Sequence, residues 1–251
     1  METFLLKKVR LSYYFFFFFI LYAVLTMVLP RYDFAGPALT IFSVNSFLYG
    51  FYISPILSAQ KARIEELHKI IRSESNAIFA MMLSTQDMPD KLRNEIQAMF
   101  KEYIQKNVRN NREAAEKEYE QIISFCLDYK GEHKDDVRKL LEKVVANQQN
   151  RTMLNMQLAN KVYSNEWIIM MMLFSITLAF ILFLNTGDAW EFRLVTALLC
   201  SGLSMLILIL VKLSTLTHKK AKQMWLPMDK LADSHFYRVD WWRRYSLFDT
   251  L

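Results

Sequence analysis

Four long apolar segments alternate with polar stretches along the chain, and none of the four contains a charged residue. A helix needs about 20 mostly apolar residues to cross the hydrocarbon core of a bilayer. The pattern therefore predicts four membrane-spanning helices over residues 11–29, 36–57, 167–184 and 194–210. The first segment is longer than the apolar part of a secretory signal and ends in Val-Leu-Pro-Arg, so it is expected to remain as an anchor.

The polar region between the second and third spans, residues 58–163, is predicted to form three long helices. The first has an apolar stripe with helical spacing from Ile64 to Met81. After a turn around Pro89, the pattern predicts one continuous second helix from Leu92 to Cys126, with an exposed polar middle. Narrow stripes of this kind are typical of an antiparallel bundle.

The third helix of this region is predicted from a stripe of Val137, Leu141, Val144 and Gln148. We expect it to continue into the third span without a break. The predicted fold class is therefore all-α: a polytopic membrane protein with four transmembrane helices and a three-helix antiparallel bundle. Its predicted parts are residues 1–57 with spans one and two, 58–163 with the bundle, 164–213 with spans three and four, and a tail over 214–251.

Lysine and arginine placement predicts the orientation of the spans, because these residues are enriched in cytoplasmic loops. The two short connections between paired spans contain only Arg31 and Arg193, partly offset by acidic residues. The other span ends are followed or preceded by Lys7, Lys8, Arg10, Lys61, Arg63, Lys161, Lys212, Lys219, Lys220 and Lys222. Both termini and the bundle are therefore expected in the cytoplasm.

The tail combines basic and aromatic residues, a composition that favours lipid headgroups or a contact with another subunit. The sequence leaves these two alternatives open. The candidate residues are Lys219, Lys220, Lys222, Trp225, Trp241, Trp242, Arg243 and Arg244.

The composition offers little chemistry. The formal net charge is +6, but the basic residues border apolar segments and form no single patch, which argues against nucleic acid as a partner. Phosphate loops, nucleophile elbows and zinc-protease motifs are absent from the sequence. Glu65 and His68 have a di-iron spacing without a second copy, and Cys126 and Cys200 are far apart. We therefore predict no catalytic residues, no metal and no cofactor.

One face of the second span combines small polar residues with two aromatic rings. Its members are Thr40, Ser43, Phe47, Gly50, Phe51 and Ser54, which recur at spacings of three and four. Small residues of this kind pack helices against each other in membranes, and the same groups could line a wetted pore. Spacing alone favours packing over a pore.

The second span also resembles that of the bestrophin channels, over Ser46-Phe-Leu-Tyr-Gly-Phe-Tyr-Ile-Ser54. The order of two spans, a helical cytoplasmic region and two more spans is similar too. The rest of the chain resembles bacterial bestrophin-like proteins of unassigned function, in Ala62-Arg63, in Glu74-Ser-Asn-Ala77 and around Arg151 to Trp167. This resemblance implies a bacterial inner membrane and a pentamer.

By this resemblance, Phe47 and Phe51 match two aromatic neck positions of bestrophins, whereas Ser43 is polar where the third would be. The Arg-Trp-Trp that follows the motif in bestrophins is replaced by Pro55-Ile-Leu-Ser-Ala-Gln60. The acidic calcium clasp is absent, so we predict no activation by calcium.

The leading hypothesis is an oligomeric ion channel, anion-selective or poorly selective, with the second span lining its pore. The alternative is a membrane-anchored scaffold whose bundle binds a cytoplasmic partner of unknown identity. A transporter is disfavoured because the spans lack an ionisable residue in their middles.

Overall fold

The computed structural model describes residues 10–108, 112–185, 189–217 and 223–232, and their regular structure is helical. Four of the helices are long and apolar enough to cross a membrane. The chain is a multi-pass membrane protein, and the predicted all-α class with four spans is confirmed. The helices are α1 (Leu11–Val28), α2 (Gly36–Leu83), α3 (Asp90–Val108), α4 (Arg112–Asp128), α5 (Lys134–Ala159), α6 (Ser164–Phe183), α7 (Trp190–Ser214) and α8 (Leu226–Ala232).

The chain divides into two compact units. The membrane unit comprises Met1–Glu65 and Asn160–Lys222, and the bundle unit comprises Glu66–Ala159 and Gln223–Leu251. Helix α2 belongs to both, with residues 36–65 in the membrane unit and 66–83 in the bundle unit.

Within the membrane unit, α1 packs along α7. Tyr22 of α1 lies in a core with Leu182, Ala197 and Cys200. The Tyr22 hydroxyl is hydrogen-bonded to the Ser204 hydroxyl at 2.7 Å. A hydroxyl pair satisfies both polar groups inside an apolar core, where an unpaired one would be costly.

The two short connections of the membrane unit are tied to each other by backbone hydrogen bonds. Tyr32 N–H donates to the Phe183 carbonyl at 2.8 Å, and Asn185 N–H donates to the Tyr32 carbonyl at 3.0 Å. Beside them the Phe180 ring stacks on Phe34 and on Phe42, with centroids 4.3 Å and 4.5 Å apart. These bonds fix the end of α6 next to the start of α2.

Helix α7 ends in a left-handed residue that is not glycine. Leu216 has φ of 55°, and Thr217 N–H donates to the Lys212 carbonyl at 3.0 Å. A hydrogen bond from an N–H to the carbonyl five residues earlier, with a left-handed residue just before the donor, is the Schellman motif. The Leu216 side chain packs against Ile64 and Leu213, a contact that offsets the backbone strain.

In the bundle unit, the predicted continuous helix from Leu92 to Cys126 is wrong. The segment forms two helices, α3 and α4, that pack against each other as a hairpin. The Tyr103 and Tyr119 rings meet at 5.1 Å, and Lys106 pairs with Glu118. Helix α3 ends at Val108 and α4 begins at Arg112, and Asn107, predicted to lie in an exposed middle of one helix, is buried.

The prediction that the third bundle helix continues into the third span is also wrong. Helix α5 ends at Ala159 and α6 begins at Ser164, where the Glu166 carboxylate accepts the Tyr163 N–H at 3.1 Å. The buried stripe of α5 contains Leu140 and Asn147 in place of the adjacent Leu141 and Gln148. Val137 and Val144 are buried as predicted, so the inward face differs from the prediction by less than one residue position.

Other expectations for this region are confirmed. Ile64, Leu67, Ile71, Ile78 and Met81 are all buried. The turn before Asp90 lies where the sequence predicts it.

Candidate functional site

The predicted face of the second span is exposed at every one of its six positions, Thr40, Ser43, Phe47, Gly50, Phe51 and Ser54. Phe47 and Phe51 are 69% and 71% exposed. The six positions cover an arc of about 100° on a helix with 3.6 residues per turn. The structure brings them together on one side of α2, and none of them packs into the core of its own chain.

The opposite side of α2 is buried against the other spans. Asn45 Nδ2 donates to the Thr177 hydroxyl at 2.8 Å and to the Leu173 carbonyl at 3.2 Å. Tyr49 and Ile53, one and two turns further on, are buried in a core with residues of α6 and α7. Residues spaced by four lie on one helix face, so this stripe fixes the rotation of α2 about its axis.

The exposed face has an aromatic middle and polar ends. The Phe47 and Phe51 rings are stacked, with centroids 6.0 Å apart and planes at 18°. A Cβ added at Gly50 would meet nothing within 4 Å. The close helix approach that a glycine permits is therefore not made at Gly50 within one chain.

Pro55 lies one turn after Phe51 within α2. Proline has no backbone N–H, so the Phe51 carbonyl cannot accept the usual bond from four residues ahead. The helix is nevertheless continuous from Gly36 to Leu83. Transmembrane helices tolerate proline when neighbouring groups compensate the freed carbonyl.

Two cations near the ends of the spans are buried in the membrane unit. Arg63 Nη1 donates to Gln60 Oε1 at 2.8 Å and lies 3.4 Å from the Ser214 carbonyl. Lys212 Nζ lies 4.9 Å from the centre of the Tyr14 ring. Both side chains therefore join α2 and α1 to the end of α7 instead of extending freely into solvent.

For the tail, Trp225 is the one candidate within the described residues, and its side chain is half-buried. Lys219, Lys220, Lys222, Trp241, Trp242, Arg243 and Arg244 lie outside the described residues. Their assignment to the membrane surface or to a subunit contact stays a prediction.

A buried polar cluster in the bundle unit was not predicted as a site. The Glu74 side chain of α2 is fully buried, and the Tyr103 hydroxyl of α3 donates to its Oε1. Arg151 of α5 is ion-paired with Glu116 of α4. Its guanidinium lies 3.7 Å from the centre of the Tyr119 ring.

The cluster is surrounded by further hydrogen bonds. Asn107 Nδ2 donates to the Tyr103 hydroxyl at 3.2 Å, and Asn147 Nδ2 donates to the Tyr119 hydroxyl at 3.1 Å. A small polar cleft next to Arg151 has room for about one water molecule. The four helices thus enclose a polar cluster within an otherwise apolar core.

Burial dominates the electrostatics of this cluster. It raises the pKa of Glu74 to about 7, with the Tyr103 hydrogen bond and the Arg151 charge acting in the opposite direction. Burial also raises the pKa of Tyr119 to about 12 and that of Tyr103 well above its usual value. Both tyrosines are therefore neutral at physiological pH, whereas the raised pKa of Glu74 lies close to it.

The sequence contained a signal for this cluster. Glu74 falls between Ile71 and Ile78 on the apolar stripe of α2, and Arg151 follows Val144 and Asn147 on the inward face of α5. Charged residues at core positions are rare and are usually paired. The partners of Glu74 and Arg151 could not be predicted, because the sequence did not predict the hairpin that α3 and α4 form.

Comparisons of the chain with protein-family models, with curated proteins and with solved structures gave no match. The helices define the class, a multi-pass all-α membrane protein with a helical bundle, and a fold class alone does not specify a function.

Proposed function

We propose that this protein is an oligomeric ion channel, anion-selective or poorly selective, whose pore is lined by the exposed face of α2. The observation that carries the proposal is the outward position of Thr40, Ser43, Phe47, Gly50, Phe51 and Ser54, while Asn45, Tyr49 and Ile53 hold the opposite face. Copies of the chain around an axis, five by the bestrophin resemblance, would bring these faces together.

Such a face has the chemistry of a gated pore. Hydroxyls at Thr40, Ser43 and Ser54 can hydrogen-bond water on either side of the rings. Phe47 and Phe51 would form a narrow apolar section, and such sections gate ion flow by losing and regaining water. No catalytic group and no cofactor is needed for this mechanism.

Planar-bilayer recording of the purified protein tests the proposal. We expect the wild type to conduct and Phe47→Ala and Phe51→Ala to raise the open probability, because a smaller side chain wets more easily. Ile41→Ala is the matched control, since Ile41 is 67% exposed on the same helix but lies about 120° from Phe47. Absence of current from all four proteins would reject the channel.

Cysteine substitution tests which face meets water. Both native cysteines are buried, which limits background labelling by a charged thiol reagent. We expect the reagent to reduce current in Ser43→Cys and Ser54→Cys and to leave Ile41→Cys unchanged. Block of Ile41→Cys alone would place the pore on another side of α2.

Subunit number separates the channel from a membrane-anchored scaffold. Native mass spectrometry should find the subunit number of a closed ring. In a separate experiment, Ser43→Cys should form disulfides between neighbouring copies. A monomer or dimer would favour the scaffold, whose spans only anchor the bundle. The proposed setting is a bacterial inner membrane with both termini in the cytoplasm. A reporter that is active only in the cytoplasm should therefore be active when it is fused to either end of the chain.

A further inference from the structure

The two carboxylate oxygens of Glu74 have unequal surroundings. Oε1 accepts a hydrogen bond from the Tyr103 hydroxyl, whereas Oε2 is buried without a hydrogen-bond partner. A buried carboxylate with an unpaired oxygen carries a large desolvation cost, and adding a proton removes the charge. The geometry therefore favours the neutral acid.

The hydrogen-bond chain determines where the proton sits. Asn107 Nδ2 donates to the Tyr103 hydroxyl, which donates in turn to Glu74 Oε1. Since an amide N–H₂ is only a donor, the direction of this chain is fixed. Oε1 is thus the acceptor end of the chain, and the proton of the neutral acid belongs on Oε2.

Charged and titratable groups reach Glu74 from each of the three bundle helices around it. Arg151 of α5 favours the ionised form, and Glu116 of α4 opposes it. Arg151 is itself ion-paired with Glu116, so its charge is largely committed to that carboxylate. Tyr103 of α3 and Tyr119 of α4 are neutral near neutral pH.

We propose that Glu74 is a reversible proton-binding site: the packed bundle holds its carboxyl neutral, and loss of the proton loosens the packing of residues 66–83 against α3 and α5. The ligand is a proton, and the site does not depend on the pore proposed for α2. Since the pKa of Glu74 is raised to about 7, the exchange falls in the physiological range.

Infrared spectroscopy of the full-length protein in detergent tests the protonation. We expect a C=O band of a protonated carboxyl group that disappears as the pH is raised, with a midpoint near the pKa of about 7. The band should be missing from Glu74→Gln. It should remain in Glu118→Gln, the matched control, because Glu118 is a buried bundle carboxylate that pairs with Lys106.

Tyr103→Phe gives a test that does not depend on the folding of Glu74→Gln. Removing the hydroxyl takes away the hydrogen bond that favours the ionised form, so the midpoint should move to higher pH. A midpoint that is unchanged or lower would overturn the proposal. A band that persists in Glu74→Gln, or no band in the wild type at about pH 6, would also overturn it.

Hydrogen exchange tests the consequence for packing. After correction for intrinsic rates, the opening equilibrium of peptides from residues 66–83 should rise about tenfold between about pH 6 and about pH 8. In Glu74→Gln this rise should be absent, and in Glu118→Gln it should remain. Equal pH dependence in the wild type and Glu74→Gln would overturn the proposed loosening.

Discussion

Arg151 should stabilise the bundle unit mainly through the aromatic ring beneath it. Its side chain is 3% exposed, and its guanidinium carbon lies 3.7 Å from the Tyr119 centroid and 5.3 Å from the Tyr103 centroid. The informative perturbation is Arg151→Met, which keeps a long apolar side chain in the core and removes the charge. Its partner in a double-mutant cycle is Tyr119→Leu, which removes the ring.

The expected magnitude follows from the surroundings of each group. The Glu116 side chain is 36% exposed and can be hydrated after the mutation, so loss of the ion pair should cost about 1 kcal/mol. A desolvated cation–π contact contributes about 2 kcal/mol. Arg151→Met should therefore destabilise the unit by about 2–3 kcal/mol, since methionine recovers part of the apolar contact.

Hydrogen exchange with mass spectrometry on the full-length protein in detergent measures this loss locally, from peptides of α4 and α5. The Tyr119 hydroxyl donates a hydrogen bond to the Val144 carbonyl at 2.8 Å. This bond is lost in both variants that contain Tyr119→Leu, so its energy cancels from the coupling energy of the cycle. The coupling energy between Arg151 and the ring should be about 1–2 kcal/mol.

A coupling energy below about 0.5 kcal/mol would refute this reasoning, because that is the deviation expected for independent sites. Glu116→Gln is a second check. It removes the charge but keeps an amide oxygen that can accept a hydrogen bond from Arg151, so it should cost about 1 kcal/mol, as expected for a partly exposed ion pair. A cost near zero would mean that the pair contributes nothing to the packed bundle.

Three further predictions concern other parts of the chain. Burial raises the pKa of Glu74 from 4.5 to about 7, so the folded bundle binds this proton more tightly than the unfolded chain does. Glu74 therefore contributes about 3 kcal/mol to the free energy of unfolding below about pH 4.5, and this contribution is lost as the pH rises through about 7. Denaturation measured across this pH range should show the loss in the wild type and not in Glu74→Gln. Asn45→Leu removes the hydrogen bond to Thr177 and should lower the free energy of unfolding in detergent by about 0.6–1.7 kcal/mol. An unchanged stability would contradict the role of this bond. Tyr22→Phe should cost a similar amount, and combined with Ser204→Ala it should cost little more, because both changes remove one hydrogen bond.

The sequence by itself determined the four spans and the turn before α3. A span needs only length and apolarity, which are local properties of the chain. The stripe from Ile64 to Met81 was equally readable, because regular spacing on one helix requires no knowledge of its partner. The composition of the α2 face could be read in the same way.

Tertiary structure decided which groups meet. A polar run such as residues 107–113 fits the exposed middle of a long helix as well as a reversal, and only packing of α3 on α4 distinguishes them. The same packing brings Tyr103 to Glu74 and Tyr119 to Arg151, which no spacing rule connects. It also fixed which side of α2 is free, since Asn45 found its partner on α6, 132 residues away in the chain. Long-range burial and hydrogen bonding, unlike apolar length, depend on the whole fold.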